Sequence, residues 1–230
     1  MKNYILTFLL LGLVHQYSLA QIASSDLRQI KNAAQYKEGE EVLLKHFARS
    51  TRLTREMMSN PEVCTVLGVI KVKKSGTIED IGTLNKVPKA FKDQFFQVAK
   101  LTDGKWLPTN DTSDFFYVVI PVQFKLSGAD YNVNVENIPT YFHESIVVVG
   151  YFPNNGFYNY QEDSKYLARV EEFMAKGKND KAIETMEYLL SRQPLNTNYY
   201  RKAIDLYEKA GRKEEAAYYT ALMKVISAKS

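Results

Sequence analysis

The sequence predicts an α+β chain: a small sheet in the order strand, strand, helix, strand, followed by an all-α module of helical hairpins. Three observations carry that expectation. Apolar residues recur at period two over 66–72 and again over 116–126. Between them Phe91, Phe95, Val98 and Leu101 recur at helical spacing. Near the C-terminus Phe173 and Tyr207, Gly177 and Gly211, and Ala182 and Ala216 form three like pairs that share one spacing, the mark of an internal repeat.

Taken in order, the chain opens with Lys2, an apolar run from Tyr4 to Val14 and a small-residue end at Ser18-Leu19-Ala20. This is the pattern of a secretory signal peptide over 1–20, cleaved after Ala20; a run of about eleven apolar residues is short of the ~20 that span a bilayer. The mature chain is therefore expected in the periplasm. In the segment 21–60, Leu43, Leu44, Phe47 and Leu53 predict a helix over 36–58, ended before Asn60-Pro61.

Residues 61–127 form the predicted sheet domain. Val66, Gly68, Ile70 and Val72 alternate with Leu67, Val69, Lys71 and Lys73, and Ser75-Gly76 turns the chain into a second strand over 77–84. Pro88 then opens the amphipathic helix. In the closing strand, 115–126, Phe116, Val118, Ile120, Val122, Phe124 and Leu126 put one side on a core. Pro121 cannot donate a ladder hydrogen bond and predicts an edge position or a bulge. Trp106 reads as a lid on the core of this sheet.

The connection 128–162 carries Tyr131, Tyr141, Tyr151, Tyr158 and Tyr160, too aromatic for a free spacer. Its stretch His143-Glu144-Ser145-Ile146-Val147-Val148-Val149-Gly150-Tyr151 contains a candidate added strand over 145–151. Residues 163–230 follow as helices over 163–176, 179–192, 196–210 and 213–228. Two such units fall short of the three that usually sustain a solenoid, so the pair should dock on another surface, its own neighbour or a partner.

Composition narrows the function. Thirty Lys and Arg stand against 26 Asp and Glu, dispersed along the chain, which is too even for an electrostatic nucleic-acid binder. One cysteine forms no internal disulfide, and with three histidines it leaves too little for a Cys/His zinc site. No catalytic or phosphate-binding signature is present. His46 and His143 read as polar structural residues and Cys64 as a packing residue. Lys71, Lys73, Lys74, Lys86 and Lys89 read as a solvated surface. The expectation is a protein that is no enzyme and takes no cofactor and no metal.

Two resemblances give this outline content. The run Val66-Leu67-Gly68-Val69-Ile70-Lys71-Val72, then Ser75-Gly76-Thr77-Ile78, Gly104-Lys105-Trp106-Leu107-Pro108 and Ile120-Pro121-Val122-Gln123-Phe124-Lys125-Leu126 together resemble the C-terminal domain of TonB proteins of the Gram-negative envelope. That family pattern is a "G-x-V/I" strand, a "G-x-I" strand, a "W-x-P" after the helix and a closing "I-P-x-x-F-x-L". The chain departs from TonB itself in its cleavable signal and in lacking a proline-rich stretch, which points away from energy coupling to an inner-membrane motor. The spacing of the three C-terminal pairs resembles the period of tetratricopeptide repeats. The stretch over 143–151 is similar to the "E-V-V-V-V-G-Y-G" segment that many TonB-dependent transporters present as a strand.

These resemblances imply an exported protein-interaction or scaffold protein whose partner is a protein or peptide, with an outer-membrane transporter or another envelope protein as candidates. One alternative is an accessory of TonB-dependent transport that binds transporter N-terminal peptides by strand addition; another is a structural subunit of an envelope complex. Neither nucleic acid nor a small-molecule substrate is implied. The candidate peptide-binding edge is the last strand, through Tyr117, Val119, Gln123 and Lys125. The candidate helical face is Tyr166, Phe173, Tyr200 and Tyr207. Within the connection, Ile146, Val148 and Tyr151 would form an internal strand that fills or blocks the edge.

Overall fold

The computed structural model describes residues 26–30, 34–59, 62–107, 113–128, 138–151 and 161–228. The expected signal peptide and its cleavage point lie outside these residues, as do Tyr131, Tyr158 and Tyr160. The architecture is mixed α+β, with seven α-helices and two small sheets among the described residues. No helix among them is long and apolar enough to cross a membrane.

The main sheet has four strands: β2 (Cys64–Lys73), β3 (Ile78–Thr83), β5 (Phe115–Leu126) and β6 (Ile146–Gly150), in the order β3-β2-β5-β6. β2 is antiparallel to both β3 and β5, whereas β6 lies parallel to β5 with Val122 opposite Ile146 and Leu126 opposite Gly150. β1 (Gln35–Tyr36) and β4 (Trp106–Leu107) pair separately. The hairpin turn between β2 and β3 falls at Ser75-Gly76, where Gly76 adopts φ +87° and a Cβ would meet the Trp106 carbonyl oxygen at 2.3 Å.

One face of the sheet packs on α1 (Glu40–Ser50) and α3 (Lys89–Lys100), through Val66, Ile70, Phe116, Val118 and Ile120 against Phe47, Phe91 and Phe95. The period-two side chains of the strands meet the i, i+4, i+7 stripe of α3, so the two periodicities in the sequence complete each other. Gly68 marks the closest approach: a Cβ there would stand 2.1 Å from the Phe95 ring. Trp106 is fully buried beside this face, donating from Nε1 to Thr102 Oγ1 at 3.1 Å and meeting Tyr36 edge-on at 5.2 Å.

The opposite face is covered as well, which corrects the expectation that the last strand has only one side on a core. Leu67, Val69, Tyr117 and Val119 join a second cluster with Leu27 of the short 3₁₀ turn Asp26–Gln29, with Ile30 just after it, and with residues of four helices. These are α4 (Gln161–Ala175), α5 (Asn179–Arg192), α6 (Thr197–Lys209) and α7 (Lys213–Ser227). The helical hairpins thus dock on their own chain. Tyr218 seals the junction by donating to the Leu84 carbonyl at 2.7 Å, and Lys86 reaches across to Glu187.

The two hairpins repeat bond for bond. Lys178 N donates to Phe173 O and Arg212 N to Tyr207 O, both at 2.8 Å; Gly177 N donates to Met174 O and Gly211 N to Glu208 O, both at 3.0 Å. Each pair is the two-bond helix stop that needs a left-handed residue, and Gly177 and Gly211 supply it at φ +65° and +75°. Ala182 and Ala216, at the helix crossings, are both buried.

Three further expectations change. The helix over 36–58 is two helices, α1 and α2 (Arg55–Ser59), because Thr51 turns extended at ψ 129°. Leu101 lies beyond the last turn of α3 and is exposed, so its place in the apolar stripe is not used. β5 is an interior strand, held by β2 on one side and β6 on the other. Pro121 is accommodated there because Leu67, its partner on β2, spends its N–H on Asn85 Oδ1 and its C=O on Leu84 N, both on the β3 side. The Leu67–Pro121 pair therefore makes no ladder bond, and the nitrogen of Pro121 points away from β2 just before β6 begins at Val122.

Candidate functional site

The edges of a sheet are where its backbone groups lack partners, and the two edges here differ in chemistry. β3 reads Ile-Glu-Asp-Ile-Gly-Thr, with Glu79 in an ion pair with Lys73 and Asp80 beside it. Charges of this kind discourage edge-to-edge pairing. β6 reads Ile-Val-Val-Val-Gly and carries neither charge nor proline. Ile146 is buried and Val148 packs against the α3 side, which turns Val147 and Val149 outward at 46% and 60% exposure. Tyr151, next on that outward face, is 77% exposed. Val147 and Val149 lie in register with Gln123 and Lys125 of β5.

Residues 138–145 lead into β6 along the upper part of β5 and fix where it starts. His143 N donates to Val119 O at 2.9 Å, Gln123 Nε2 donates to Ser145 Oγ at 2.6 Å, and Tyr141 Oη donates to the Val225 carbonyl of α7. His143 also bonds to Glu40 at the start of α1. Burial of Glu40 works to raise its pKa, but the hydrogen bond and charge of His143, with the Glu144 amide, outweigh it and hold the carboxyl below its ordinary range. A cleft of about 470 Å³ opens beside this segment, between Lys125, Phe142 and Val147.

The sequence-predicted residues fall into three groups. Tyr117 and Val119 are fully buried against the helical layer, and Gln123 is buried beneath Ser145, so these three do not face a partner; of the four, Lys125 alone reaches solvent in part. β6 already occupies the β5 edge to which they were assigned, from Val122 to Leu126. This corrects the candidate peptide edge: among the described residues the outermost strand on this side is β6, one strand further out. Ile146 and Val148 hold β6 to the core, and Tyr151 stands beyond it in solvent.

The helical face divides as well. Tyr166 and Phe173 line an open groove of about 780 Å³ on α4 and α5. Tyr200 and Tyr207 are fully buried, a correction to their assignment as a partner-binding face. Tyr200 Oη donates to the Pro194 carbonyl at 2.8 Å, and Tyr207 Oη donates to Glu187. Burial, joined for Tyr207 by the Glu187 charge, pushes both phenols well above their ordinary pKa. Tyr166, the counterpart of Tyr200 in the first hairpin, has no hairpin before it among the described residues and sits under Arg169 and Arg192, 5.4 and 5.6 Å from its ring.

Sequence reasoning missed Val147 and Val149, the two residues that expose the edge. A run of three valines has no alternation from which an inward face can be read. Cys64 is buried at the start of β2, where desolvation drives its thiol pKa well up and leaves it a packing residue. No protein-family model, curated protein or solved structure matches the chain.

Proposed function

We propose that this chain is an exported protein-interaction or scaffold protein, without catalytic activity of its own, that receives an extended segment of a partner along the edge of β6, which no described strand occupies. The observation that carries this reading is the edge itself: an uncharged strand of β-branched residues with Val147, Val149 and Tyr151 exposed on one face. An added strand would gain main-chain hydrogen bonds from β6 and cover those side chains, while the adjacent cleft takes one of its own. The order strand, strand, helix, strand and the motifs around Gly68, Trp106 and Pro121 support a TonB-C-like reading of the sheet. The helix stops that recur from one hairpin to the next support a tetratricopeptide-like reading of the hairpins.

A second reading draws on the parallel pairing of β5 and β6 and on the likeness of residues 143–151 to a transporter segment. In it, β6 is an internal ligand that leaves β5 when a transporter peptide arrives. The two readings separate by titration calorimetry of the full chain with a peptide spanning 143–151. The edge reading expects saturable binding that is lost in the double variant Val147→Lys, Val149→Lys, since lysines on an edge strand oppose pairing. Binding that survives those changes favours displacement of β6, and an absence of binding contradicts both.

A further inference from the structure

The contacts between the two hairpins specify what a further hairpin would need at either end of the pair. Glu187 on α5 accepts from Tyr207 on α6, and Asp180 at the start of α5 accepts from Arg212 Nη2 at 2.7 Å, just before α7. Moved one repeat toward the C-terminus, the α5 side of these contacts becomes Ala221 and Glu214, both on α7. Moved one repeat toward the N-terminus, the other side becomes Phe173, near the end of α4, and Lys178, just before α5. Glu214 and Lys178 are exposed, and neither forms an ion pair among the described residues. The unfilled halves of one interface therefore stand at opposite ends of the same molecule, with opposite charges.

Each of these ends also carries a groove. Ala221 lines a groove of about 680 Å³ on α7, floored by small residues and bordered by Arg28, Lys213 and Lys224 against a single acid, Glu208. Phe173 lines the groove of about 780 Å³ on α4 and α5, where Glu62, Glu172 and Glu184 outnumber Arg169 and Lys181. Among the described residues each groove lies open along a helix.

We propose that copies of this chain stack head to tail, α7 of one seating on the α4 and α5 face of the next in the register that α5 keeps against α6. Glu214 pairs with Lys178 of the next copy, and Ala221 packs on Phe173 of the next copy. The contact joins two different surfaces, so it produces a growing series rather than a closed dimer. It uses neither face of β6.

Sedimentation velocity on the full chain tests this, across a concentration series up to roughly 1 mM, where even a weak contact half-saturates. The Val147→Lys, Val149→Lys background is used throughout, so that pairing through β6 makes no contribution. The average mass should rise above that of one chain with concentration and fall back as salt is added. Glu214→Lys alone, or Lys178→Glu alone, should weaken association about tenfold by turning an attraction into a repulsion. Both changes in one chain should restore it. Thermal melts confirm that these exposed substitutions leave the fold intact. A single-chain mass at every concentration overturns the proposal, as does a double reversal that stays as weak as either single one.

Discussion

At the scale of single residues, two positions decide how closely the layers approach. Gly68 lets the Phe95 ring lie against the backbone of β2. Gly68→Ala should destabilise the chain by roughly 1–3 kcal/mol through overpacking, and Phe95→Leu in the same chain should recover part of the loss; urea unfolding of the three variants reads this. Asn85 is fully buried and bridges β2 where β3 ends, accepting from Leu67 N at 2.9 Å and donating to Thr65 O at 2.8 Å. Asn85→Ala strands both backbone groups in the core, at roughly 1–3 kcal/mol each, and should lower the melting temperature more than any exposed substitution. The motif around Gly68 is visible in the sequence. The role of Asn85 is not, because an Asn after a strand reads equally well as a turn residue.

At the scale of elements, β6 and the hairpins show what periodicity can and cannot tell. Alternation over 66–72 and 116–126, the stripe of α3 and the C-terminal repeat lead directly to elements seen in the fold. Ile146–Gly150 lacks alternation, so its inward and outward faces emerge only from its pairing with β5. Tyr200 and Tyr207 looked like a binding face because aromatic residues at helical spacing serve a core and a groove equally well; the second hairpin has α7 and the sheet to cover them. Val147→Lys with Val149→Lys should leave stability within about 0.5 kcal/mol, as both side chains already face water, while Val148→Pro should cost several times more by breaking the β5–β6 pairing. Thermal melts of the two variants give the comparison.

At the scale of the whole molecule, the sheet and the helical hairpins share one core, and this was the least legible feature of the sequence. Both faces of β5 are apolar, but an alternating strand says nothing of which distant segment covers its second face. The junction is rich in buried phenols. Burial pushes Tyr141 up to about 12 and raises Tyr117, Tyr207, Tyr218 and Tyr219 as well. A phenol held neutral by the fold contributes its full stability below the ordinary pKa of 10.0 and loses it as pH rises through the folded value. Stability should therefore hold up to about pH 10 and fall steeply toward pH 12, with phenolate absorbance appearing together with loss of helix rather than ahead of it.

The most direct test of the β6 edge is residue-resolved amide hydrogen exchange of the full chain, with and without the peptide spanning 143–151. Strand addition predicts slower exchange over 146–150 while 122–126 keeps its protection. Faster exchange over 146–150, or no change at any amide, would contradict it.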